Sequence, residues 1–453
     1  MKWLGLAFIL FTVVALTGWL RTNPRGAKWA WGLLTFLPFV LDPLHLIIAP
    51  FATPMWSGYV KGWQISVLDA VAFGIIFGTR GRWPRIVLVL PLLAYIGAVL
   101  LAVLQARFPS YAFSYPLQLI RVLLVFLAVA RVAQLEDGER ALLTGLVLGI
   151  AVQAGYSIMD RASGVFQTGG SLGHQNLLGF VSHLALMPLC GMFLARRLPL
   201  LAAMGIACAL VAVVLTGSRA TILLAGAGLT MTLLLSTMLR FSGQKIGYVV
   251  GAFLLLAASA PLAYSAIERR VSGQMGGVLE KDQQRIAFER TAKLMVQENP
   301  MGVGPNHYVF MAITEGYAER AGVNWAPGNR AAQVHHSYLL VAAETGYLGV
   351  AALIVLLGAA IWHAFSTAIR FRKYREADIL LGLGVGLVAI SLHALVEWTF
   401  TLYAVQYVFA GSLGLIVGLR SRLISRALGT DKKPRRAVAA AKQPAFASAM
   451  QSA

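Results

Sequence analysis

The sequence predicts an all-α polytopic integral membrane protein, and three observations carry that prediction. The 453 residues are 58% hydrophobic and only 12% charged, with a mean hydropathy of +0.72, whereas soluble domains carry about 25% charged residues. Apolar runs of about 20 residues, long enough to cross a hydrocarbon core as helices, recur along most of the chain. Basic residues gather in short links between these runs: Arg80, Arg82 and Arg85; Arg196 and Arg197; and Arg370, Arg372, Lys373 and Arg375. That placement follows the positive-inside rule and marks the links as cytoplasmic. The formal charge of +20 therefore speaks for membrane topology and not for nucleic acid.

Taken in order, the apolar segments fall near 3–20, 29–50, 64–79, 86–106, 117–134, 141–158, 177–195, 198–216, 220–239, 246–265, 336–364, 379–396 and 400–419, which amounts to about 12–13 transmembrane helices. The first segment follows a single lysine and lacks a small-x-small cleavage site, so it is expected to be retained. Residues 1–265 form an N-terminal set of transmembrane helices and 336–419 a C-terminal set. Alternation from the basic links sends 51–63, 107–116, 159–176, 217–219 and 266–335 to the opposite, periplasmic face; the side of the N-terminus stays open. Residues 420–453 read as a basic, disordered cytoplasmic tail whose expected contact is membrane lipid. Cys190 and Cys208 both lie inside apolar runs, which offers neither a disulfide framework nor a cysteine metal site.

The periplasmic link 266–335 is far longer than an ordinary connection, and links of that length are usually functional. Within it "DQQRIAFERTAKLMVQENP" has the pattern of an amphipathic helix, with Asp282 as N-cap and Ile286, Phe288, Leu294 and Met295 among its apolar positions. Pro300 and the glycines of "PMGVGPNHY" end it. Their G-x-G lacks a third glycine and follows a helix, so it reads as a turn and not as a dinucleotide loop. Glu280 and Asp282 have metal-like spacing, but Lys281 between them and Arg285 nearby make the pair more simply a helix start.

Sorting polar residues by side brings His335, Arg285, Arg219 and the "GHQN" turn with His174 and Asn176 to the same face, from four separate parts of the chain. Arginines at membrane depth usually face a cavity or a partner, and two guanidinium groups suit an anion such as a diphosphate. Each residue also has an ordinary reading: a snorkelling Arg219, an Arg285 paired locally with Glu289, a capping His335. His335 would begin a helix with Tyr338, Leu339 and Ala342 on its face. Glu344, nine residues on, lies roughly opposite, so a His–Glu pair on that one helix is not expected. Asp42, Asp69 and Glu397 sit in or beside membrane segments and would serve ion coupling in a transporter or flippase, the alternative of another class. No inverted repeat is evident, which weighs against it.

Four ordered pieces resemble the O-antigen ligase and polymerase superfamily, membrane enzymes that move glycans from undecaprenyl-diphosphate carriers. They are "GSLGHQNLLG" before one helix, "TGSRAT" at the start of another, Arg285 leading to "ENPMGVGPNHY", and "HHSYLLVAAETGYLG", which is similar to the family's H-N-x-x-L…E-x-G-x-x-G signature. Together they cover about residues 170–350. The resemblance implies that His335, Arg219 and Arg285 are catalytic, with the arginines also binding substrate beside His174, Asn176, His336 and Tyr338. His336 stands where the family has asparagine, which leaves open which histidine acts. It further implies an inverting, metal-independent glycosyltransferase without cofactor in the bacterial inner membrane, its site facing the periplasm. The donor would be an undecaprenyl-diphosphate-linked glycan and the acceptor lipid A-core, as in O-antigen ligation, or another glycan, as in polymerisation.

Overall fold

The computed structural model describes residues 2–23, 26–81, 83–251, 254 and 283–429. Arg82, most of the 246–265 segment, the Glu280–Asp282 stretch with its expected N-cap and metal pair, and the tail from 430 lie outside the described residues.

The protein is an all-α membrane bundle in which eight helices among the described residues are long and apolar enough to cross a bilayer. Val67–Gly78, Val89–Gln105 and Pro199–Leu215 are apolar but shorter. Gln175–Leu194 runs through the middle, buried almost throughout, and packs against Pro199–Leu215, Arg219–Leu239 and Glu376–His393. Small residues let these helices approach: a Cβ on Gly382 would meet the Met187 carbonyl oxygen at 2.2 Å, and one on Gly179 would meet Thr221 Oγ1 at 2.3 Å. Such close backbone approach is how helices associate where lipid supplies no hydrophobic drive.

The expected 29–50 segment is not one helix. Ala27–Phe36 is helical, a 3-10 turn containing Pro38 follows, and the strand Ile47–Ala52, opened by the β-branched pair Ile47 and Ile48, pairs antiparallel with Gly62–Ser66. Ile48 faces Ile65 and Phe51 faces Trp63; the register shifts between Ile48 and Phe51, where Pro50 has no N–H to give the ladder. The segment breaks because Pro38, Pro43 and Pro50 each deny an unbroken helix its hydrogen bonds.

Two buried ion clusters tie helix ends together at the end of the bundle that carries the basic links. Arg422 pairs with Glu139 and lies 3.3 Å from Glu376, which Arg426 and Arg197 reach at 2.7 and 3.2 Å. Asp378 likewise holds Arg240 and Lys245. The last helix therefore runs from Tyr403 to Ala427, past the expected end at 419, because Arg422 belongs to the core and not to a tail. Removing one partner of a buried pair strands the other charge and costs about 3–5 kcal/mol. Glu376→Ala is accordingly expected to lower the thermal midpoint of the purified protein sharply, and an unchanged midpoint would mean that the cluster contributes nothing to stability.

The acids considered for ion coupling have fixed partners here. Asp69 closes a capping box with Ser66 and pairs with Arg121 at 2.8 Å. Asp42 accepts from the Tyr403 hydroxyl. Glu397 lies at the opposite end of the bundle from the ion clusters, where the candidate residues meet.

Candidate active site

The His335–His336 pair stands where the chain turns into the helix Ser337–Arg370, and the two rings do different work. His336 is the N-cap: its backbone is extended and its Nδ1 accepts the Leu339 N–H at 3.2 Å. An Nδ1 that accepts leaves the neutral ring's proton on Nε2. Burial holds the His336 imidazole below its ordinary pKa, only partly opposed by Glu289, which preserves that capping lone pair. His335 has the reverse arrangement. Its Nδ1 lies 3.2 Å from Glu397 Oε2, and a carboxylate can only accept, so in the neutral ring the proton sits on Nδ1 and Nε2 keeps a lone pair. His335 stays 28% exposed while Glu397 is 4% exposed.

Glu397 is carried by the link that follows the helix Glu376–His393, and backbone contacts set its position. The Ser337 N–H donates to the carbonyls of Ala394 and Glu397, and the Ser337 hydroxyl donates to the Glu397 carbonyl at 2.6 Å. The first turn of one helix is thereby fastened to the end of another. Three other parts of the chain converge on the Glu397 carboxylate. Asn176, in the first turn of Gln175–Leu194, donates to Oε1 at 2.5 Å. Arg285 approaches the same oxygen at 3.5 Å from the loop helix spanning 283–298. His335 takes the other oxygen.

Around this centre the remaining candidates fall as follows. His174 caps Gln175–Leu194 through Nδ1, which accepts the Asn176 N–H at 3.2 Å. Burial lowers its pKa; Glu397 opposes that shift and His335 adds to it, which marks all three as electrostatic neighbours. Arg219 opens Arg219–Leu239 behind the N-cap Ser218, is exposed, and has no carboxylate partner among the described residues. The contact between Thr221 and Gly179 sets that helix start beside the first turn carrying Asn176. The Tyr338 hydroxyl donates to the Ser391 carbonyl at 2.9 Å and serves helix packing. Arg285 pairs with Glu397 and not with Glu289, whose partner is Lys293.

A second assembly seats the long loop on this site. Glu344 is buried and accepts from the Tyr59 hydroxyl at 2.6 Å and the Tyr308 N–H at 3.0 Å. One residue past its neighbour Thr345, Gly346 breaks the helix at φ 68°, ψ −173°, a conformation essentially confined to glycine. The break admits the turn after the loop helix: Val303 and Gly304 N–H donate to the carbonyls of Ala343 and Glu344, and the Tyr347 N–H donates to that of Pro300. Asn306 then exchanges hydrogen bonds with the backbone of Val60, at the tip of the hairpin. Phe288, Met295 and Tyr308 fill the space beneath; Ile286, expected on that face, is exposed.

The sequence offered Glu397 only as a coupling acid under the transporter alternative, and its place in the site was missed. The available signal was an acid beside an apolar segment; its partners, up to 221 residues away, are a product of folding alone. Residues 204–354 match the family model described as O-antigen ligase. No curated protein matches the chain. The matched stretch contains Arg219, Arg285, His335 and Glu344 but ends before Glu397 and begins after Asn176.

Proposed function

We infer that this chain, a member of the O-antigen ligase and polymerase superfamily through residues 204–354, is an inverting glycosyltransferase that moves a glycan from undecaprenyl diphosphate to lipid A-core. The observation that carries the chemistry is the His335–Glu397 pair at 3.2 Å. In the neutral ring it leaves Nε2 of His335 without a proton, with Arg285 on the same carboxylate and Arg219 at the start of a helix that packs on the one carrying Asn176. His336 and His174 are unsuited as bases because each spends its Nδ1 lone pair on a backbone N–H.

In this reading His335 Nε2 takes the proton of an acceptor hydroxyl as that oxygen attacks the anomeric carbon. Arg219 and Arg285 neutralise the diphosphate as the glycosidic C–O bond breaks and charge collects on the leaving oxygen. Attack opposite the leaving group inverts the anomeric centre. Exposed apolar side chains on the surrounding helices, among them Leu223, Tyr347 and Leu348, suit a polyprenyl chain arriving sideways from the bilayer. The basic links at the other end would face the cytoplasm, which leaves this site on the periplasmic side of the inner membrane.

The test is reconstitution in liposomes with a polyprenyl-diphosphate oligosaccharide, with and without lipid A-core, in EDTA. A single transfer that requires lipid A-core and inverts the anomeric centre is expected. Self-extension without that acceptor would make the protein a polymerase, a retained configuration would defeat direct displacement, and movement of the donor without a new bond would make it a transporter. Arg219→Ala and Arg285→Ala are each expected to reduce turnover by about 10²–10³-fold, as loss of a charge-stabilising donor does. Arg285→Lys should recover little of that, since an ammonium lacks the paired donors that fit phosphate oxygens.

A further inference from the structure

Glu397 is more than the partner of a base. Its backbone carbonyl is held by Ser337 and its Oε1 by Asn176, contacts that belong to the bundle and need no ligand. From that fixed place it meets two cationic or ionisable groups. His335 lies at 3.2 Å, on the helix that Ser337 begins. Arg285 lies at 3.5 Å, half-exposed at 49%, on the loop helix. A buried carboxylate is costly without a compensating cation, and among the described residues Arg285 is the arginine or lysine paired with it.

We propose that Glu397 is a positioning residue that holds Arg285 until the donor diphosphate takes it, so that donor binding frees the carboxylate to support His335. The proposal rests on the transferase reading above. A diphosphate offers a guanidinium two parallel charge-assisted hydrogen bonds, whereas Glu397 offers Arg285 one long contact on an oxygen already shared with Asn176. When Arg285 leaves, that oxygen keeps Asn176 and is not orphaned. The carboxylate then faces His335 alone, and the imidazolium formed as the acceptor proton arrives replaces Arg285 as its countercharge. Glu397 thus has guanidinium as countercharge before the donor binds and imidazolium once the hydroxyl has been deprotonated; in between, the Asn176 amide and the His335 Nδ1–H hold its two oxygens. No proton passes to Glu397 itself. Before the donor binds, the enzyme is held short of its active arrangement, because Arg285 draws on the charge that His335 requires.

The experiment is a double-mutant cycle on the full chain in nanodiscs, with undecaprenyl diphosphate carrying no glycan as the probe. Glu397→Gln removes the charge that holds Arg285 and is expected to bind the probe roughly tenfold tighter than wild type, a coupling typical of contacting charged groups. Arg285→Ala weakens binding, and adding Glu397→Gln to it changes nothing further. In transfer assays kcat of Glu397→Gln falls on the order of 10²–10⁴-fold, as when an amide replaces the carboxylate that orients a catalytic histidine, while KM for the donor does not rise. Glu397→Asp, which keeps the charge, recovers part of kcat. If the amide variant fails to fold, as judged by thermal melting, the binding cycle is run with Glu397→Asp, whose shorter side chain withdraws from Arg285. Equal affinity of variant and wild type, persistence of the Glu397 effect without Arg285, or an unchanged kcat would overturn the proposal. Wild type that binds no undecaprenyl diphosphate overturns both readings. Wild type that binds and couples but transfers nothing overturns the transferase reading alone.

Discussion

His335→Ala is expected to lower glycan transfer by about 10²–10⁴-fold, the range contributed by a positioned general base, while His336→Ala leaves the chemical step in place. The two neighbours part because of what each Nδ1 faces: a carboxylate for His335, a backbone N–H for His336. Loss of the His336 acceptor removes a helix cap, worth about 0.5–2 kcal/mol, so its variant should melt earlier yet turn over at nearly the wild-type rate per folded molecule. His336→Asn should behave as wild type in both respects, since an asparagine oxygen caps the same N–H. That also gives a physical reason for the asparagine found here in the superfamily signature: the position asks for a cap acceptor, and imidazole Nδ1 is one. Steady-state transfer and thermal melting on the three variants decide the matter. An active His335→Ala beside an inactive His336→Ala would reverse the assignment.

Gly346→Ala should have the second large effect, and at a distance from the reacting groups. A Cβ at this position would lie 2.3 Å from the Pro300 carbonyl oxygen and 2.6 Å from the Met301 carbonyl carbon, both backbone atoms that cannot rotate aside. The left-handed φ adds about 1–3 kcal/mol of strain for a residue with a side chain. The helix can relieve both only by straightening, which expels the 299–304 turn and with it the seat of the helix that carries Arg285. The expected result is loss of transfer and rapid proteolytic cleavage in the long loop, with helical content by circular dichroism unchanged. Gly358→Ala, on the same helix with open space around it, is the control and should retain activity. A Gly346→Ala protein with an intact loop and full transfer would show that the kink does not hold the loop.

Much of this protein was legible in its sequence, for reasons that act locally. Hydrophobic runs show themselves because a bilayer demands about 20 apolar residues in unbroken helix, and the helices from Ser114–Ala133 onward lie close to where those runs do. The grouping was legible because basic residues collect in alternate links; His174, Asn176, Arg285 and His335, which that alternation puts on one face, lie together around Glu397 in the fold. The loop helix announced itself by its periodicity. Where local rules competed, the reading failed: prolines and β-branched residues turned the 29–50 segment into a short helix and a strand, and Arg422, basic and near the end of the chain, proved to be core.

Only the tertiary structure decided what the side chains do. Glu397 has no local signature, since an acid beside a membrane segment is equally a coupling site, a surface charge or a catalytic partner. It became the centre of the site when helix packing brought Asn176 and Arg285 to one of its oxygens and His335 to the other. The choice between adjacent histidines was likewise beyond the sequence, because a tautomer follows from the atom opposite each nitrogen. Composition and spacing determine which groups reach the same side of a membrane; the pairing of donors with acceptors across 62 to 221 residues of chain is a property of the folded bundle, and from it come the proton positions on which the chemistry depends.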